Sequence, residues 1–323
     1  MSISQELKNS FTSYWHYLPL RTACQLGVFD ALWEGPLSLA ELAEKLGAKQ
    51  ASLQLLLAAL EQLAALRTEN GQYVLAEKGA QLAEEHPQSL KYACLLWGEE
   101  HLRAWQHLAQ SIRSDEAVFE QLYGQPFFDY LDEQPESNRI YHLAMNEYAR
   151  DDYAQLGEQL DLSEAKAVMD LGGGLGALLK ALARVHPQPK YYLLDKPKVL
   201  ALLPAGELPF RPIPADFFAP IPQVAEHIFL ARVLHDWPDE AALKILENVY
   251  AALPKGGRMY ILEILKEQLA DGAELLSLNM LAICKSQERT LAAYRKLAEK
   301  IGFAYLEKRP INDLQTLLIF EKR

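Results

Sequence analysis

The spacing of apolar residues changes about halfway along the chain. Up to about residue 160 it is helical, with leucines and alanines recurring every three or four positions. Ser38 to Gly47 has capping-box spacing, Ser38 to Glu41, and a glycine stop. A leucine-rich helix is predicted over Leu53–Leu66, then an Asn70-Gly71 hairpin turn with Tyr73-Val74-Leu75 beyond it. A further helix is predicted over Ser137–Leu160. Beyond residue 160, apolar runs at 166–171, 190–194, 226–233, 257–264, 302–306 and 315–320 predict strands. Amphipathic stretches at 174–185, 238–252 and 289–301 predict the helices between them. The alternation predicts an α/β doubly wound parallel sheet. No helix fits between the last two runs, so the last strand is expected to be antiparallel. The expected division is a helical winged-helix-like domain over 1–100, a helical linker and pocket segment over 101–160, and a sheet domain over 161–323.

Helix, helix, hairpin is a DNA-binding pattern, but also a packing module. The would-be recognition helix, Ala48 to Leu63, is largely apolar, with one Lys and one Glu. A helix of that kind asks for a partner surface, which favours dimerisation. The formal charge of −11, from 32 Lys and Arg against 43 Asp and Glu, opposes contact with phosphate backbones, so no nucleic-acid partner is expected. No apolar run approaches the roughly 20 residues of a membrane span. The polar first residues and the scattered Cys24, Cys94 and Cys284 suggest a reducing, cytoplasmic setting and no metal cluster.

The first strong run ends in Asp170 and opens into Gly172-Gly173-Gly174-Leu175-Gly176. Such a turn bares backbone N–H groups to a ligand. Gly172-x-Gly174-x-x-Ala177 also satisfies the loose dinucleotide pattern, and Asp195 stands where an acid would hold ribose hydroxyls of NAD or of S-adenosylmethionine. Asp170 separates the two: a carboxylate there repels a pyrophosphate but favours an ammonium and a sulfonium. Asp216-Phe217-Phe218 offers an acceptor and a ring for adenine, or forms an ordinary turn. Arg232-Val233-Leu234-His235-Asp236-Trp237-Pro238 leaves the fourth predicted strand and sets His235 on the carboxyl edge of the sheet.

Together these segments resemble the S-adenosylmethionine-dependent O-methyltransferases of the plant caffeate and bacterial natural-product type, over residues 10 to 321. The resemblance implies S-adenosylmethionine as cofactor, held by Asp170, Gly172, Gly174, Gly176, Asp195, Asp216, Phe217, Arg232 and Trp237. It implies His235 as general base, with Glu263 and Glu288 holding its other ring nitrogen. Met145 and Asp236 are expected at the acceptor, a small molecule with a phenolic or other hydroxylated ring. The N-terminal domain would form a homodimer, with Tyr14-Trp15-His16-Tyr17 closing the partner's pocket. Departures lie at Ala215, where a glycine is common, at Ser277, where many relatives carry Asp or Asn, and in the short segment before Glu288. The alternatives are a relative doing hydroxylation or rearrangement, a DNA-binding regulator, and an NAD dehydrogenase.

Overall fold

The computed structural model describes residues 3–268 and 273–323. The chain divides into two compact units, Met1–Leu102 and Arg103–Arg323.

In the first unit the capping box at Ser38 forms: Glu41 N–H donates to Ser38 Oγ at 3.3 Å, and Ser38 N–H donates to the Glu41 carboxylate at 2.7 Å. It starts a helix over Leu39–Lys45, and the leucine-rich helix spans Gln50–Gln62. Leu66 belongs to β1 (Leu66–Glu69), which pairs antiparallel with β2 (Gln72–Leu75). Asn70 and Gly71 both have positive φ, 50° and 78°, as a two-residue hairpin turn requires. Leu37 bridges Tyr73 and completes the wing. Phe29, Leu42, Leu57 and Leu60 fill the core. Helices at Ile3–Phe11 and Tyr14–Leu26 precede it.

In the second unit a seven-stranded sheet has the order β5-β4-β3-β6-β7-β9-β8. The strands are β3 (Ala167–Leu171), β4 (Lys190–Asp195), β5 (Arg211–Pro214), β6 (His227–Ala231), β7 (Arg258–Ile264), β8 (Phe303–Pro310) and β9 (Gln315–Lys322). The five from β5 to β7 are parallel, whereas β9 runs antiparallel to both of its neighbours. The last strand is thus reversed as expected, but it is inserted between β7 and β8. The edge falls to β8, whose exposed Leu306-Glu307-Lys308 stretch puts charge on an open strand. β5 is a strand the apolar runs do not reveal. Pro212 and Pro214 cannot complete a central ladder, and the sheet tolerates them because β5 is the other edge.

Met169 and Leu171 pack on the face covered by helices Asp239–Ala252 and Leu291–Ile301, and Val168, Leu193 and Phe229 pack against helix Ala177–Val185. The segment before the sheet packs into this unit; Phe119, Phe127 and Leu131 form a cluster with Ala282 and Ile283 of an apolar helix over Ala273–Cys284. The helix expected over Ser137–Leu160 is broken into Pro135–Asp152 and Leu156–Gln159. At the break the Asp152 carbonyl accepts from Asn312 Nδ2 and the Ala154 carbonyl from Arg184, so distant side chains replace intrahelical donors.

The chain builds β3 in the middle, moves out to β5, then returns to β6 beside β3. That reversal opens a crevice at the carboxyl ends of β3 and β6, and the glycine loop and His235 both leave from it.

Candidate active site

Asp170, the penultimate residue of β3, is 1% exposed, and its Oδ1 has no hydrogen-bond partner among the described residues. Burial, then the charge of Asp195, pushes its carboxyl up to about 8. The loop above it is tight. A Cβ on Gly173 would meet Asp170 Oδ2 at 2.2 Å, and one on Gly176, at φ 74°, would meet the Phe210 ring at 2.4 Å. Asp195 ends β4 and accepts two backbone N–H groups, from Gly174 at 2.8 Å and from Lys196 at 2.7 Å. It therefore fixes the loop while each oxygen keeps a lone pair for a hydroxyl. Burial lifts its carboxyl to about 6. Beyond β5, Asp216 is exposed and closes a turn by accepting from Phe218 N–H at 2.9 Å. Phe217 lies beside Gly172, where an added Cβ would meet its ring at 3.2 Å.

His235 sits in a single 3₁₀ turn, Leu234–Asp236, between β6 and the following helix. Two carbonyls of this turn and that of Trp237 just after it are held from outside: Arg289 donates to those of Leu234 and Trp237, and Ser286 Oγ to that of His235. Neither residue stands out in the sequence, because the carbonyls they hold lie 51 to 55 residues away. The turn sets His235 Nδ1 3.0 Å from Glu288 Oε1 and Nε2 3.4 Å from Asp236 Oδ1. An ionised carboxylate only accepts, so Nδ1 carries the proton toward Glu288.

Glu263, on β7, differs from expectation. Its Oε1 accepts the backbone N–H of His235 at 3.3 Å, and its Oε2 meets Arg232 at 3.1 Å, so it holds the turn and not the ring. The Arg232 guanidinium lies against Glu288 at 2.9 and 3.3 Å as well as Glu263 at 3.1 Å, while the next residue, Val233, packs beside Gly172 of the glycine loop. Oxygen and nitrogen donors of His235, Glu263 and Glu288 all fall within 4.8 Å of one another, a spacing suited to a cation; the guanidinium of Arg232 already bridges the two acids.

The charges follow from this geometry. Burial alone would raise the Glu288 carboxyl, yet His235 and Arg232 together hold it down at about 2. Glu263 lacks the ring contact, and burial raises it. For His235, burial and Arg232 favour the neutral ring, but Asp236, Glu263 and Glu288 outweigh them and raise its pKa.

Trp237 stacks on Phe128, with centroids 5.3 Å apart, and stands edge-on to Phe217 and Phe218. Tyr141 packs on Phe127 and Phe128. Met145 lies half-buried one turn along the same helix, outside the ion network. Ser277 Oγ is buried with no hydrogen-bond partner among the described residues, while Asn279 accepts from Trp105 Nε1 at 2.9 Å.

The fold and crevice define a Rossmann-like methyltransferase. An unpartnered buried carboxylate, a side-chain-free loop and a second acid with spare lone pairs fit a cationic, ribose-bearing cofactor. Residues 105–304 match the O-methyltransferase domain family, and 9–85 match the O-methyltransferase dimerisation domain. The phenazine O-methyltransferase of Lysobacter antibioticus is 31% identical over 94% of this chain and 91% of its own. The crystal structure of human N-acetylserotonin methyltransferase with S-adenosylmethionine is 29% identical, with TM-score 0.89, over 100% of this chain and 98% of that one. That of an O-methyltransferase from neocarzinostatin biosynthesis, with S-adenosylhomocysteine and 1,4-dihydroxy-2-naphthoic acid, is 26% identical with TM-score 0.79 over 96% of each. The chain belongs to the O-methyltransferase family and is an S-adenosylmethionine-dependent enzyme. No helix among the described residues is long and apolar enough to cross a membrane.

Proposed function

We propose that this enzyme methylates a hydroxyl on a small aromatic molecule, with His235 as general base. The observation that carries the reading is the anchoring of His235 Nδ1 on Glu288, which leaves Nε2 as the ring's basic atom. Bound in the crevice, S-adenosylmethionine supplies an activated methyl group. Asp170 would face its ammonium, Asp195 its ribose, and Phe217 with Asp216 its adenine; Gly172, Gly174 and Gly176 keep side chains out of its path. A phenol, with a pKa near 10, attacks poorly until it loses its proton. His235 Nε2 takes that proton, and Glu288 offsets the charge left on the ring. Asp236, 3.4 Å from Nε2, is placed to orient the hydroxyl. Phe128, Tyr141, Trp237 and Met145 offer flat and apolar surface for a ring.

An aromatic acceptor agrees with the phenazine and naphthoic acid named for the relatives. The dimerisation domain acts in a homodimer, and the exposed Ile3, Leu7, Phe11, Tyr14 and Trp15 are the surface a second copy covers. A methyl-labelled cofactor incubated with phenols, naphthols and polyketide-like hydroxyls tests the reading. Label is expected in an aryl ether. Label only in amines, or in no product, would overturn it.

A further inference from the structure

Arg232 has a backbone that few side chains adopt. Its φ is 55°, in the left-handed region, which costs a non-glycine residue about 1 kcal/mol or more. Its N–H still extends the ladder to the Leu262 carbonyl at 2.9 Å. This conformation turns the side chain onto Glu263 and Glu288, which both have fully buried side chains. Two buried carboxylates beside one imidazole would not both stay ionised without a cation.

We propose that Arg232 is a positioning residue whose guanidinium, shared between Glu263 and Glu288, offsets one of their two charges, so that a single net negative charge reaches the Nδ1–H of His235 through Glu288. This rests on His235 being the base. Glu288 Oε1 is shared between Arg232 Nη2 and His235 Nδ1, so the cation and the ring meet on the same oxygen. Among the described residues, the other titratable and charged groups facing this cluster are Asp236 on its own turn, Tyr141, Asp152 and Tyr153 from the helix before the sheet and its end, Cys284 from the apolar helix packed on the turn, and Tyr294 and Arg289 from the side of the helix after Glu288. The cofactor role expected for Arg232 from the sequence makes a different prediction, because a residue at the cofactor would change its affinity and leave the ring alone.

The sign is definite. A positive neighbour disfavours the imidazolium, so losing Arg232 raises the titration midpoint of His235, and losing Glu263 lowers it. The test follows the His235 ring by NMR in full-length protein carrying isotope-labelled histidine, assigned from the spectrum of His235→Gln. Glu263→Gln is compared with Glu263→Gln/Arg232→Met, a pair that keeps the buried charges balanced should Arg232→Met alone fail to fold. Adding Arg232→Met is expected to raise the midpoint by about one pH unit or more. S-adenosylhomocysteine affinity, measured by calorimetry, is expected to change less than about twofold. An unchanged midpoint, or an affinity loss of tenfold or more with the midpoint fixed, overturns the proposal. Failure of the base reading appears elsewhere, as wild-type methyl transfer by His235→Gln, so the two are separable.

Discussion

The two units depart from ordinary surfaces and cores in opposite ways. The first leaves large apolar side chains in water: Ile3 is 84% exposed, Phe11 64% and Trp15 62%. The second buries charge: Asp170, Glu263 and Glu288 are each at most 1% exposed. Both arrangements are costly by themselves, and both point to what completes them. An exposed apolar stripe is completed by another protein surface. A buried carboxylate is completed by a cation, which for Glu263 and Glu288 is Arg232 within the chain. For Asp170, with its unpartnered Oδ1, the proposed counterpart is the ammonium of the cofactor.

The sharpest way to break this contrast is at the charged end. His235→Ala is expected to lower methyl transfer by about 10²–10⁴-fold while cofactor affinity stays near wild type. A rate within tenfold of wild type would contradict the assignment. Next comes Asp170→Asn, expected to weaken cofactor binding by about 10–100-fold, the worth of a charged hydrogen bond. The same carboxyl sets a pH dependence. Its folded pKa, about 8, lies well above the ordinary aspartate value of about 3.9, so its contribution to the stability of the cofactor-free protein is full below about pH 4 and is lost as pH rises through about 8. Melting temperature should fall across that window, and Asp170→Asn should flatten the fall. Calorimetry in buffers of different ionisation enthalpy should show a proton released on binding at pH 7.

At the apolar end, Leu7→Glu with Phe11→Glu should convert a dimer into monomer by sedimentation without unfolding the chain, because neither side chain is buried. A persistent dimer would place the interface elsewhere. The smallest effect is local. Ser38→Ala removes the capping box at a cost of about 1 kcal/mol, read as a drop of a few degrees in melting temperature.

What the sequence shows of this molecule follows the range of the forces involved. The wholly buried β3 and the buried middle of β7 read as apolar runs, and the glycine loop reads as a loop, because their determinants are local. β5 is hidden by its two prolines. The helix over Ala273–Cys284 is hidden because it is apolar on most faces and has little period to detect. The break after Asp152 depends on Asn312, far along the chain. At the site, His235, Asp170 and Asp195 stand out at strand ends. The true contacts of Arg232 and Glu263 do not, since the partners are separated by 31 residues, and Arg232 and Glu288 by 56. Such pairings exist only once β6, β7 and the segment before Leu291 lie side by side.

The central claim is that His235 removes the acceptor's proton. Its most direct test compares wild type with His235→Ala on two phenols of the same shape and different acidity, one with a pKa near 10 and one already ionised at the assay pH. The account predicts a large loss on the first and near-wild-type transfer on the second, which has no proton to give up. An equal loss on both would contradict it.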